Sequence, residues 1–387
     1  MQGTKHLNTV LTMGKNTNVP KLRFPEFEGE WVEKTLGEVL TIGSGRDYKH
    51  LSSGNVPVFG TGGLMCKVDD FLYEGETVCI GRKGTIDKPM YFDGKIWTVD
   101  TLFYTHSFIQ SLPKLIYYIF QKINWKEHNE ASGVPSLSKS TIEKIDITIP
   151  SLPEQIKIAS FLTAADDKLT QLKKKKSLLE EYKKGVMQKI FSQELRFKGD
   201  DGEDFPEWEE KNGNLIFESV SDKKHNSDLP ILAITQEYGA IPRDLIDYNI
   251  SVTDKSVESY KVVQKGDFII SLRSFQGGIE YSNYKGICSP AYIILRPIVK
   301  IDDRFYKFFF KTESYIKSLN KNLEGIRDGK MISFKYFSEI YLPFPSLPEQ
   351  TKIANFLSAI DEKINHCSKQ IERMEEWKKG LLQRMFV

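Results

Sequence analysis

The feature that most constrains this chain is an internal duplication. Ser151-Leu-Pro-Glu-Gln-Ile-Lys-Ile-Ala-Ser-Phe-Leu162 recurs as Ser346-Leu-Pro-Glu-Gln-Thr-Lys-Ile-Ala-Asn-Phe-Leu357, 195 residues later. The register runs on without a gap to Gly185, Gln188 and Phe191 against Gly380, Gln383 and Phe386, with about half of the positions identical. A fainter echo lies upstream of each copy. Leu22-Arg-Phe24, with Phe24-Pro-Glu26 before Trp31, answers Leu195-Arg-Phe197, with Phe205-Pro-Glu207 before Trp208. The order is therefore a disordered tail (1–20), a first variable domain (21–150), a central helix (151–195), a second variable domain (196–345) and a C-terminal helix (346–387).

Each duplicated segment reads as one long helix. Pro153 and Pro348 fall in a first turn, where proline is tolerated, and Glu154 and Glu349 suit its positive end. No further Pro or Gly follows until Gly185 and Gly380. Ile158, Leu162, Ala165, Leu169, Leu172, Leu179, Tyr182, Val186 and Ile190 keep steps of three and four, except that polar Lys176 takes the slot between Leu172 and Leu179. So do Ile353, Leu357, Ile360, Ile364, Cys367, Ile371, Met374, Trp377, Leu381 and Met385. That spacing marks a coiled-coil seam. Two copies of one seam are natural partners, and a pseudo-two-fold repeat pairs them antiparallel. A helix from Pro153 to Phe191 would be about 57 Å long.

The variable regions read as mixed α/β. Thr77-Val-Cys-Ile80, Phe268-Ile-Ile-Ser271 and Tyr292-Ile-Ile-Leu295 are short strand-like runs bounded by Gly, Asp or Pro. Leu115 to Ile123 and Phe305 to Leu319 read as short helices. Thr148-Ile-Pro150 and Pro343-Phe-Pro345 are stiff, extended leads into the long helices. The fold class is thus α/β (mixed α+β), two variable domains joined by two long antiparallel helices.

Composition excludes several classes. The 387 residues are 40% hydrophobic and 27% charged, as in folded proteins. No run of 18 apolar residues exists, so no membrane partner is expected. Residues 1–19 are polar and lack the apolar stretch of a signal peptide. Cys66, Cys79, Cys288 and Cys367 lie far apart, which fits a reducing cytoplasm and excludes a Cys-rich zinc site. Net charge is only +2, but residues 151–198 carry 11 basic against 6 acidic groups and residues 199–345 carry 19 against 23. A chain that bound DNA by bulk charge alone would be more basic. If nucleic acid is the ligand, local patches or partner chains supply the positive field.

Enzyme motifs are missing. No G-x-x-x-x-G-K-[ST] phosphate loop occurs, and Gly60-Thr-Gly-Gly63 lacks a dinucleotide-binding frame. There is no Asn-Pro-Pro-aromatic or Asp-Pro-Pro-Tyr segment for amino methylation, and the six histidines are scattered. Asp166-Asp-Lys168 and Asp361-Glu-Lys363 imitate part of a nuclease pattern, but both sit at one repeat position beside the seam, where a salt bridge is favoured. No catalytic residue, metal site or resident cofactor is expected.

Polar, glycine-flanked loops remain. The first region offers Arg46, Tyr48, Lys49, Thr61, Arg82, Lys83 and Thr85; the second offers Arg273, Ser274, Gln276, Arg327 and Lys330. Arginine bonds guanine bidentately and glutamine bonds adenine, while Ser, Thr and Lys favour phosphates. As a set they form the candidate DNA-contact surface.

The doubled Ser-Leu-Pro-Glu-Gln-x-Lys-Ile-Ala-x-Phe-Leu resembles the specificity subunits of type I restriction–modification enzymes. So do Leu22-Arg-Phe-Pro-Glu-Phe…Trp31…Leu36-Gly37-Glu38, Val58-Phe-Gly-Thr-Gly-Gly63…Ile80-Gly-Arg-Lys-Gly84…Trp97…Asp100-Thr101, and Gly266-Asp-Phe268…Arg273-Ser-Phe-Gln-Gly-Gly278…Ser289-Pro290. Trp208-Glu-Glu-Lys-Asn-Gly-Asn-Leu215 departs from the family's Leu-Gly-Glu pattern. The resemblance implies a non-catalytic reader of double-stranded DNA whose two target-recognition domains each bind half of an asymmetric bipartite site. It implies two methyltransferase (M) subunits carrying S-adenosylmethionine, and two restriction–motor (R) subunits using ATP and Mg. For docking and the helix scaffold it points to Pro153, Glu154, Gln155, Phe161 and Leu162, and to Pro348, Glu349, Gln350, Phe356 and Leu357. The residues alone also admit a stand-alone DNA-processing enzyme with two recognition modules, or a structural coiled-coil adaptor.

Overall fold

A computed structural model describes residues 18–226, 228–246, 257–321 and 332–387. Of the expected tail, residues 1–17 lie outside the described residues, whereas the Asn18 carbonyl accepts a hydrogen bond from Trp31 N–H. The chain forms two compact units. One holds the chain to Lys173 together with Lys369–Val387; the other is Lys174–Ser368.

The first unit is built on a six-stranded sheet. Its order is Thr41–Ser44, Leu102–His106, Tyr73–Gly81, Met90–Thr98, Ser53–Gly60, Gly63–Val68. Every neighbour is antiparallel except Ser53–Gly60 on Met90–Thr98. The expected strand Thr77–Ile80 is the central part of Tyr73–Gly81 and is buried on both faces, which is why it reads as a continuous apolar run rather than an alternation. Helix Pro113–Lys122 begins on a proline and buries Leu115, Ile116, Tyr118, Ile119 and Phe120 against the sheet. Strand Val32–Thr35 pairs with Asp146–Ile149, so the chain's lead into the domain and its exit toward the long helix are hydrogen-bonded together.

The second unit repeats this frame with different contents. Glu209–Asn212 pairs with Tyr341–Phe344. The lead-in that has lost Leu-Gly-Glu keeps its place: Gly213 N–H bonds Ile340 O at 3.0 Å, as Leu36 N–H bonds Ile145 O at 3.0 Å. A glycine serves both turns because backbone or side chain of the opposing helix crowds it, Glu143 at Gly37 and Phe337 at Gly213. The sheet itself has four strands, in the order Phe217–Val220, Ile293–Pro297, Phe268–Ile270, Glu280–Tyr281. Beside it lie ribbons Leu232–Thr235 with Gly239–Pro242, and Lys261–Val263 with Gly286–Cys288. The core is aromatic: Phe217, Phe268, Phe305, Tyr306, Phe310 and Phe337 are fully buried. The helix expected over Phe305 to Leu319 is two helices, Asp303–Phe309 and Glu313–Lys321. Thr312 makes the break, its hydroxyl donating to Phe309 O and accepting from Tyr315 N–H.

The long helices are Leu152–Phe191 and Leu347–Met385, and both run straight through Gly185 and Gly380. In the first unit Asp166 pairs with Lys378 (2.6 Å) and Lys173 with Glu375 (2.6 Å). In the second unit Lys183 pairs with Asp361 (2.6 Å). Numbers rise along one helix as they fall along the other, so the pairing is antiparallel. Asp166–Lys378 and Lys183–Asp361 are the same repeat pair with the helices exchanged. Each unit's core is closed by one start and one end: Ile158 and Leu162 with Leu381 and Met385, and Ile353 and Leu357 with Val186 and Ile190. The expected seam is corrected at two positions. Tyr182 and Trp377, equivalent in the repeat, are about half exposed, because two helices alone leave a wide face in water.

Candidate nucleic-acid interface and its frame

The frame rests on a contact that neither motif announces by itself. Glu154 does not simply face a helix dipole; it is 1% exposed, and Arg23 takes both its oxygens, each at 2.8 Å. Glu349, also buried, accepts from Arg196 Nε at 3.2 Å and Nη2 at 3.1 Å. Hydrogen bonds donated to the buried carboxylates hold both guanidinium groups above their ordinary pKa. The remaining guanidinium N–H groups hold turn carbonyls, Glu28 and Gly29 in one unit, Phe205 and Pro206 in the other. Trp31 Nε1 adds a third donor to Glu154. So Leu-Arg-Phe and Pro-Glu-Gln are two halves of one clamp, and the signal for it in the sequence is their joint appearance in both repeats.

The next residue is as well used. Gln155 accepts from Leu112 N–H and donates to Gln110 O and Pro150 O, while Gln350 accepts from Asp302 N–H and donates to Pro345 O. Each therefore ties the start of a long helix to the first turn of its domain's helix. Phe161 stacks edge-on with Phe24 at 5.6 Å, and Phe356 meets Phe197 at 5.3 Å. Leu162 and Leu357 are wholly buried, while Pro153 and Pro348 stay exposed on the first turn.

On the first domain the candidate loops converge. Arg46 N–H bonds Thr98 O at 2.8 Å, and the Arg46 carbonyl accepts from Trp97 Nε1 at 3.0 Å. Gly45 abuts this turn so closely that a Cβ would lie 1.9 Å from Val99 O. Thr61, at the tip of the Ser53–Gly60/Gly63–Val68 hairpin, lies beside Gly84. Arg82 and Lys83 donate their backbone N–H groups to Thr101 O, and Arg82 lies over the Phe103 ring. Arg46, Lys49, Arg82 and Lys83 are exposed and, among the described residues, form no ion pair with a carboxylate. Tyr48 instead packs partly into a small core with Val58, Val68 and Trp97, and Thr85 is half-buried.

On the second domain fewer of the named residues face outward. Arg273 and Gln276 are exposed on the short helical turn Ser274–Gly277, with Leu272 and Phe275 exposed beside them. Gln236 Nε2 braces this turn by donating to Arg273 O. Ser274 is 1% exposed and its hydroxyl accepts from Ser271 N–H at 2.9 Å, so it shapes the turn instead of presenting a hydroxyl to solvent. Gly278, at φ +79°, lets the chain turn under Phe310, where a Cβ would come within 2.0 Å of the carbonyl. Arg327 and Lys330 lie outside the described residues. Among the described residues no cluster of His, Cys, Asp or Glu could hold a metal ion, and no helix is long and apolar enough to cross a membrane.

Residues 28–181 and 203–376 each match the type I restriction modification DNA specificity domain. A putative type I restriction enzyme MjaX specificity subunit from Methanocaldococcus jannaschii is 29% identical over 279 residues, covering 68% of this chain and 63% of its own length. The type I restriction enzyme EcoDI specificity subunit of Escherichia coli is 22% identical over 394 residues, 90% of this chain and 86% of that one. A crystal structure of a type I restriction–modification system S subunit from M. genitalium has the same fold, with a TM-score of 0.64 at 15% identity over 95% of this chain and 99% of that one. A duplicated frame, a variable sheet in each copy and domain matches over most of the length converge: the chain belongs to the family of type I restriction modification DNA specificity proteins.

Proposed function

We propose that this chain is the sequence-reading subunit of a type I restriction–modification complex, each domain reading one half of a bipartite site in double-stranded DNA. The observation that carries this is the contrast between a clamp repeated side chain for side chain and loop surfaces that share nothing but exposed, unpaired cations and glycine turns. Arg46, Lys49, Arg82, Lys83 and Thr61 serve the first half-site, Arg273 and Gln276 the second. The chain contributes no catalytic group. Two methyltransferase subunits supply S-adenosylmethionine chemistry, and two restriction–motor subunits supply ATP- and Mg-dependent cleavage, in the cytoplasm. Half-exposed aromatics at one repeat position, Tyr182 and Trp377, support docking of two like partners, and Trp377 touches Phe161 at 5.9 Å. Near-neutral domains fit this assembly, because partner chains can complete a basic channel.

The test is selection from a random DNA library with the full chain and its methyltransferase partner. Two enriched half-sites separated by unread base pairs are expected. A single continuous motif, or none, would sink the two-reader assignment. Methyl transfer by the chain alone would instead favour the stand-alone enzyme.

A further inference from the structure

Next to Arg82 and Lys83 the first domain carries a cleft of about 870 Å³, bordered by Ser44, Asp100, Val134 and Lys139 among others. One wall of it comes from residues 129–139, a segment that no motif singles out. That wall is zipped to the candidate loop by backbone bonds: Gly84 N–H to Pro135 O (2.8 Å) and Leu137 N–H to Arg82 O (2.9 Å). It is stiffened from within. Asn129 Oδ1 accepts from both Ala131 N–H and Ser136 N–H, and Glu130 accepts from Ser138 and Thr141. Those hydroxyl bonds, Thr141 first, also hold the Glu130 carboxyl below its ordinary pKa. The segment is therefore preorganised, and its acid is engaged by neighbouring hydroxyls.

What it leaves facing outward is selective. Lys83 and Lys139 both line the cleft, neither paired with a carboxylate among the described residues. Val134, between Gly133 and Pro135, is 56% exposed and belongs to no apolar cluster. Two unpaired lysines and an exposed apolar tip lining one cleft match the chemistry of a duplex-DNA edge: phosphates for the cations, and in the major groove the 5-methyl of thymine for the apolar tip. We propose that residues 129–139 are a second jaw of the first domain's DNA-contact surface, with Lys83 and Lys139 on backbone phosphates and Val134 against a thymine methyl. This rests on the DNA-reading assignment above, which already holds Lys83, and adds Val134 and Lys139 to it.

The experiment uses the full chain with its methyltransferase partner on the duplex that the wild type selects. Lys139→Gln should weaken binding to every sequence and lower the salt slope by about one. Replacing each first-half-site thymine singly by deoxyuridine should cost the wild type about fourfold at one position, the worth of one buried methyl. Val134→Ser, at an exposed site, should fold normally and be indifferent to that replacement. An unchanged salt slope, a first half-site without thymine, or equal deoxyuridine losses in wild type and variant would overturn the proposal while the selected site keeps the underlying assignment intact. A wild type that selects no site would overturn both.

Discussion

The two units share a frame and differ in what the frame carries. Both have an Arg–Glu clamp, a Gln tie, a Phe–Phe contact and a two-stranded lead-in ribbon. Between the ribbon strands, one builds a six-stranded sheet and the other a four-stranded sheet with two separate ribbons and an aromatic core. The difference teaches where each kind of constraint acts. The clamp glutamates and tie glutamines are buried with their hydrogen-bond partners fixed, so their identity is dictated by those partners. The loops need only begin and end at the ribbon, and are free to take any chemistry.

The harshest way to break the comparison is to exchange one content for another. Replacing residues 39–150 with the corresponding region of a relative should abolish recognition of the first half of the site, a loss of about a thousandfold or more, and leave the second half untouched. Library selection reads both halves at once. Altered preference in both would mean that the frame participates in reading.

Next in size is the frame itself. Arg23→Ala and Arg196→Ala each leave a buried carboxylate unpaired and should cost about 3–5 kcal/mol, equally if the clamps are equivalent. Hydrogen exchange resolves where the loss falls, and protection should drop around Ile158 in the first variant and Ile353 in the second. Replacing Arg and Glu together with apolar residues should restore much of it, since the penalty belongs to the stranded charge. If one arginine proves dispensable, that frame stands on other contacts, such as Trp31 Nε1 on Glu154.

These clamps also show how much the sequence could tell. The duplication, the long helices and their antiparallel pairing were legible because a seam is a periodic, local pattern. The strand at Thr77–Ile80 was legible as a short apolar run, which is local but not periodic. The clamp was not, since Arg23 and Glu154 are 131 residues apart and each alone has an ordinary surface explanation. Ser274 read as a ligand hydroxyl because a one-dimensional motif does not show that a neighbouring backbone N–H already bonds it. Tyr182 and Trp377 read as seam residues because periodicity fixes a face and not the number of neighbours that cover it. Residues 129–139 carried no signal at all: their shape comes from Asn129, Glu130 and a loop some fifty residues away.

Smaller effects sharpen the contrast within the contents. Arg273→Ala or Gln276→Ala should cost about 1–3 kcal/mol at a single base pair of the second half-site if the side chain meets a base edge. Competition binding against every substitution of that half-site measures it. Uniform weakening on all sequences would move the residue to a phosphate, and so make the second domain's surface more like the first domain's lysine-rich loop than its sequence suggests.

The smallest expected effect tests the repeat at its least constrained position. Gly185 and Gly380 lie inside the long helices, and a Cβ at either would meet nothing within 4 Å. Alanine should therefore stabilise each helix by about 0.8–1.0 kcal/mol, through lower backbone entropy in the unfolded chain. Denaturant unfolding with exchange read on each unit should return the same gain twice. An open helix face without a Cβ is a place where a partner's surface can approach closely. Gly185→Ala and Gly380→Ala should then each stabilise the free chain yet weaken methyltransferase binding, and the pair of losses should match. A gain in stability with undiminished partner binding would instead leave both glycines outside the docking faces and place those faces elsewhere on the helices.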